Sequence, residues 1–281
     1  MEPWIWHQFR MEHPPAWEML MYSRRREQGR CAFADRGGYR LEFNWRRAAS
    51  APDFDSLLGE YRERLEGADG AGEITSLCHQ AWRGWQVSRE QGATSHVGRY
   101  FDDPGCLIEI VLIWREAPDE ALARRVLDSV ATESVCEGLE HWHCFGMDLR
   151  VDASLELDSC RVEPARVEMS FADPKDAQRV TTLARFGLIE HWLDGSVDQW
   201  LARRMTEAPT EQRVAAQADH EIAYVEAPAA ATPRWRRKKR RHRAAAWICP
   251  RDGRLYRADV TDRDAEIVPG RHLDCGCLAK S

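Results

Sequence analysis

The chain has 281 residues, 43% apolar and 31% charged, enough for one large domain or two ordinary ones with real cores. Net charge is −6, and the run "RWRRKKRRHR" at 234–243 alone carries +8, so the remainder stands at −14. That balance excludes a protein coated for wholesale polyanion binding and describes an acidic body with one basic segment.

From the N-terminus, "MEPWIWHQFR" has no basic start followed by an apolar run, so no signal peptide is expected. "WEMLMYSRR", "RCAFAD" and "YRLEFNW" are short segments separated by Gly or Asp breaks and predict three strands. Asp53 or Ser56 can cap a helix running to Leu65, with Phe54, Leu57, Leu58, Tyr61 and Leu65 on one stripe. Further strands are expected at "GWQVSRE", "HVGRYF" and "CLIEIVLIW", the last two joined by the turn "DDPG". That last segment is the longest strongly apolar one and is too short to span a bilayer. Pro118 and Asp119 then open a helix, "DEALARRVLDSVA".

Four blocks recur in the same order. "WHQFRM" (6–11) pairs with "WHCFGM" (142–147), and "CAFAD" (31–35) with "MSFAD" (169–173). "SLLGEYRERL" (56–65) pairs with "SVDQWLARRM" (196–205), and "YFDDPGCLIEI" (100–110) with "ICPRDGRLYRA" (248–258). A period near 140 residues implies two domains, not a solenoid. We expect a tandem duplication with domains 1–138 and 139–281, each an α+β layer of mainly antiparallel sheet packed by helices. The second copy lacks the closing helix and ends instead in "GRHLDCGCLAKS". Its basic run falls between the strands "HEIAYVE" and "AAAWICP", where the first copy has "EQGATSH". Twelve tryptophans point to aromatic cores.

This order of elements, with a Phe-centred strand and "FRMEHPPAW" at 9–17, resembles the PsbP-like fold. That group includes the photosystem II extrinsic subunit, DcrB-like bacterial proteins and a yeast Ran-binding factor. The resemblance implies two such domains and a binding or adaptor scaffold whose partner is another protein. No G-x-S-x-G, G-x-x-x-x-G-K, H-E-x-x-H or G-x-G-x-x-G is present, so no catalytic residues are assigned and no enzyme is expected.

Three groups of residues could carry chemistry. Arg234, Trp235, Arg236, Arg237, Lys238, Lys239, Arg240, Arg241 and Arg243 could bind an anionic partner or clamp nucleic-acid phosphates, with Trp235 stacking on a base. The plainer alternative is a solvated loop docked on the acidic body. Cys249, His272, Cys275 and Cys277 offer four ligands of the kind zinc takes. Against zinc, Asp252 stands where a C-x-x-C would put its second cysteine, and buried free thiols also pack as small hydrophobes. Cys275 and Cys277 could equally be exposed tail thiols. His141 and His143 share one face of a strand, but His143 aligns with His7, which favours a structural role. Nine cysteines, odd in number and irregularly spaced, suit free thiols in a reducing cytoplasm.

Overall fold

The computed structural model describes residues 1–67, 72–229, 240–263 and 266–278. The chain divides into two compact units, Met1–Glu133 and Ser134–Ser281. The first comprises β1 (Glu2–Trp6), β2 (Phe9–His13), β3 (Glu18–Met21), β4 (Gln28–Asp35), β5 (Gly38–Arg47), α1 (Phe54–Glu66), β6 (Glu73–His79), β7 (Trp82–Arg89), β8 (Gly92–Phe101), β9 (Cys106–Trp114), α2 (Glu120–Ser129) and β10 (Ala131–Thr132). Seven of these strands form an antiparallel sheet in the order β3-β4-β5-β9-β8-β7-β6. β1, β2 and β10 are antiparallel neighbours, with Trp6 opposite Phe9 and Ala131 opposite Arg10.

The second unit comprises β11 (Leu139–Cys144), β12 (Met147–Asp152), β13 (Glu156–Glu163), β14 (Arg166–Asp173), β15 (Asp176–Phe186), α3 (Val197–Ala202), β16 (Glu211–Gln217), β17 (His220–Pro228), β18 (Arg241–Ile248), β19 (Leu255–Asp262) and β20 (Leu273–Asp274). Its seven-stranded sheet runs β13-β14-β15-β19-β18-β17-β16, the same topology as in the first unit. β11 pairs with β12, and β12 with β20. From the first strand to the seventh the two units keep one offset of 138: β2 begins at Phe9 and β12 at Met147, β7 at Trp82 and β17 at His220.

Alternation in the sequence sets these strands. "LEHWHC" and "MDLRVD" bury every second residue, which fits a pleated surface with one face on a core. In the first unit Trp4 meets Phe33 and Phe43 edge-on at ring-centroid distances of 5.4 and 5.0 Å. Trp142 meets Phe171 in the same way at 5.2 Å in the second. α1 and α2 begin at the expected caps: the Asp53 carboxylate accepts from the N–H of Asp55 and Ser56, and that of Asp119 from Leu122.

The α+β expectation is overturned. Among the described residues there are twenty strands and three α-helices, and the fold is β-rich. The physical reason is where burial occurs. α1 has no fully buried side chain, α2 only Val126 and Leu127, and α3 only Trp200 and Leu201. Fully buried Phe33, Leu41, Phe43, Ile108 and Ile110 all come from strands. Each such side chain contributes ~1.5–3 kcal/mol, so the sheets rather than the helices supply most of the hydrophobic stabilisation.

The first matched block also needs correction. Trp142 occupies the place of Trp4, not of Trp6, because the offset is 138 and not 136. His7 lies in the β1–β2 turn with φ 49°, whereas His143 lies within β11. The two histidines are not equivalent.

Candidate binding groove and thiol–imidazole cluster

α1 stands off the outer face of the first sheet and leaves a groove of about 310 Å³ beneath it. Phe54, Leu57, Leu58 and Tyr61 form the roof; Trp85, His96, Gly98 and Leu107 form much of the floor. Trp85 Nε1 donates to the Leu58 carbonyl at 3.0 Å and ties the helix to the sheet. Phe54 sits directly over Gly98, where a Cβ would make ordinary contact with its ring at 3.6 Å.

A polar chain crosses this groove. His96 Nε2 lies 3.0 Å from Thr94 Oγ1, and His96 Nδ1 lies 2.8 Å from the Tyr61 hydroxyl. Burial, with a smaller contribution from Arg89, lowers the His96 pKa to about 4. Burial, reinforced by the nearby Glu109 carboxylate, raises that of Tyr61. Arg46, Arg64 and Arg83 line the mouth. Arg83 pairs with Asp55, and Arg64 lies over the Tyr61 ring, while Arg46 has no ion-pair partner among the described residues.

His96 is expected to make this unit acid-sensitive. Its folded pKa of about 4 lies below the ordinary 6.5, and burial holds His7 at about 3. Between those values and 6.5 the unfolded chain binds more protons, so stability falls as pH drops below about 6.5. His96→Gln is expected to flatten, without abolishing, the loss of melting temperature between pH 7 and pH 5. His7 supplies the residue of the slope.

The equivalent face of the second unit is filled. There Trp200 and Leu201 of α3 pack on Ala184, Phe186, Ala223, Val225, Ala244 and Ala246. Ala184 and Ala223 stand 138 residues after Arg46 and Trp85, and Ala246 pairs with Ala223 as His96 pairs with Trp85, so small side chains lie under the second unit's helix where large ones lie under α1.

On the opposite face, three of the four expected metal ligands converge, and the fourth is a different histidine. Cys249, Cys275, Cys277 and His220 hold their ligand atoms within 4.8 Å of one another. Cys249 Sγ lies 3.4 Å from Cys277 Sγ, which is 3.3 Å from Cys275 Sγ. His220 Nε2 lies 3.4 Å from both Cys275 and Cys277. Gly276 at φ 82° turns the chain so that the two tail cysteines face the same way. Asp274 holds that turn by accepting from the N–H of Gly276 and Leu278. Cys249 sits at the start of a turn closed by hydrogen bonds between Cys249 and Gly253 and between Cys249 and Arg254. Burial pushes the Cys277 thiol up to about 12 when only protein surrounds it.

His272 lies outside the cluster: its Nδ1 accepts from the Val268 N–H, and its carbonyl accepts from Arg150. Asp252 takes no part either, since it accepts from the Tyr256 hydroxyl and the Arg254 N–H. His220 carries no local sequence signal, because it stands alone at the head of a strand. The signal was the 138-residue offset, which places it where the first unit has the buried Trp82.

Of the basic run, Arg234, Trp235, Arg236, Arg237, Lys238 and Lys239 lie outside the described residues. Arg240 pairs with Asp176, and Arg241 and Arg243 both pair with Glu226 on β17. Arg241 and Arg243 thus belong to a strand and share one carboxylate on its neighbour. His141 and His143 flank Asp148, at 3.0 and 3.8 Å, with Arg150 at 3.6 Å. Burial of Asp148 opposes ionisation, but the hydrogen bonds from His141 and His143 outweigh it and hold the carboxyl well below its usual range. A cation already occupies this carboxylate, so the trio is an ion-pair network.

No described helix is long and apolar enough to cross a membrane. The sequence matches no protein-family model, and a search of curated proteins finds no match to it.

Proposed function

We propose that this chain is a non-catalytic binding protein, descended by tandem duplication from one unit, that works in a reducing compartment. The groove under α1 takes an aromatic side chain presented by an acidic segment of a partner protein. One observation carries this reading: two sheets of the same topology treat the same face differently. The second unit fills it with its own Trp200, whereas the first leaves it open under a helix with no fully buried residue. An open, largely apolar recess with a few convergent polar groups is the usual form of a binding site. Arg46 and Arg83 at the mouth favour an acidic flank. Duplication is supported by the shared strand order and by the offset of 138 kept through the first seven strands. Kinship with PsbP-like and DcrB-like domains belongs to the same proposal and is supported by the order strands, helix, strands in each unit.

A peptide copying residues 194–201, "DGSVDQWL", carries the second unit's own filler with its acidic flank and serves as the probe. Fluorescence anisotropy of the labelled peptide with the full chain should saturate at one peptide per chain, at a Kd below ~1 mM, equivalent to about 4 kcal/mol. Gly98→Leu, which builds into the floor, should abolish binding, and Arg46→Glu should weaken it. Absence of saturable binding, or binding indifferent to Gly98→Leu, overturns the reading. Tight binding of an unattached aromatic acid with none of the peptide would replace it with a small-molecule site.

A further inference from the structure

The two units close their inner faces by different means. In the first, α2 packs along β2, and β10 adds to the edge of β2. Trp82 fastens that helix, its indole N–H donating to the Leu127 carbonyl at 3.2 Å. Among the described residues, the second unit has no helix between β19 and β20. Yet β20 holds the place of β10, since Asp274 pairs with Asp148 as Ala131 pairs with Arg10, both one residue into the equivalent strand. His220 stands where Trp82 stands. Directly after β20 the chain delivers Cys275 and Cys277 to it, and Cys249 completes the set from the end of β18.

We infer that His220, Cys249, Cys275 and Cys277 form a structural zinc site that latches the C-terminal segment onto the second sheet, in the role the closing helix plays in the first unit. The argument rests on donor set, geometry and unmet polar groups. Three sulfurs and one imidazole nitrogen are among the sets that structural zinc takes. Tetrahedral Zn–S bonds of ~2.3 Å place ligand sulfurs ~3.8 Å apart, so separations of 3.3 to 3.4 Å need to open only slightly around an ion. Without a metal, the interior is poorly satisfied. His220 is buried, its Nδ1 has no hydrogen-bond partner, and its Nε2 faces only thiols, which are weak partners. The buried Trp247 indole N–H has no hydrogen-bond partner either. On binding, the three thiols release their protons to solvent, and the neutral imidazole contributes its Nε2 lone pair. All four positions are supplied by protein, which marks the site as structural rather than catalytic.

The full chain, purified under reducing conditions without chelator, should carry one zinc per molecule by mass spectrometry of the metal. Cobalt replacement should give the visible d–d bands of a tetrahedral ion and the thiolate charge-transfer intensity of three sulfurs. This readout needs no mutation and therefore does not depend on a variant folding. His272→Ala should keep stoichiometric metal; His220→Ala and Cys277→Ser should lose it. Removing zinc with a chelator should raise hydrogen exchange in residues 266–278 and leave α2 unchanged. Well under one zinc per reduced chain, an octahedral cobalt spectrum, a Cys249–Cys277 disulfide in the freshly purified protein, or loss of metal in His272→Ala would overturn the assignment. Unchanged exchange in 266–278 on chelation would overturn the latch.

Discussion

Replacing Trp82 with Ala is expected to destabilise the first unit by ~3–5 kcal/mol, among the largest effects of any single substitution in this chain. Trp82 is 1% exposed and lies against Phe101 at a centroid distance of 6.3 Å. Truncation leaves a cavity under α2 and removes the indole donor to the Leu127 carbonyl, a group in the last turn of the helix whose other donor is the Val130 N–H at a long 3.4 Å. Urea unfolding should show a lower midpoint with little change in slope. Hydrogen exchange should localise the loss to residues 119–132. Trp82→Phe separates the two contributions, because it keeps most of the apolar volume and loses only the indole donor. That variant should cost about 1 kcal/mol more than its lost volume accounts for. If α2 keeps its protection in Trp82→Ala, Trp82 is not what fastens the helix.

The same position shows what could be read from sequence. Both helix starts were legible, because Asp53 and Asp119 are followed by apolar residues at helical spacing and their carboxylates do cap the first turn. Strand segments were legible from alternation, and "CAFAD" with "MSFAD" already contained the true offset of 138. The block "WHQFRM" misled because a shift of two residues along a strand preserves which face each residue occupies; composition alone cannot detect it. Helix burial was not legible. The stripe on α1 is as apolar as that of a packed helix, but the sheet beneath it carries Arg46, Trp85 and His96 instead of alanines. Only the partner surface decides whether a stripe is buried. Cys249, Cys275 and Cys277 were visible as a loose spacing, while His220 was hidden: a ligand at the head of a distant strand has no local motif. His272 was the nearer histidine in sequence and the wrong one in space. The charge of the basic run was plain, but not that Arg241 and Arg243 extend β18 and share Glu226.

Trp200→Ala is expected to cost the second unit ~3–5 kcal/mol and to turn its filled helix face into a cavity. The indole contacts Phe186 and Trp192 at centroid distances of 5.7 Å each, and the Arg204 guanidinium lies 4.6 Å above it. Around it the sheet presents Ala184, Ala223, Ala244 and Ala246, which cannot extend into the vacated space. Such an apolar cavity should bind a ligand of the shape removed. Free indole at ten times its Kd would then restore about 1.4 kcal/mol, read as a rise in the unfolding midpoint of the variant alone. Wild type should not respond, because its own side chain holds the space. An unresponsive Trp200→Ala would mean that α3 collapses onto the alanines when the ring is removed. The open face of the first unit would then owe its shape to α1 and to the bulk of Trp85 and His96. A response from the variant would mean that the alanine platform holds an aromatic recess by itself, and that an aromatic ring is the occupant this sheet face is shaped to receive.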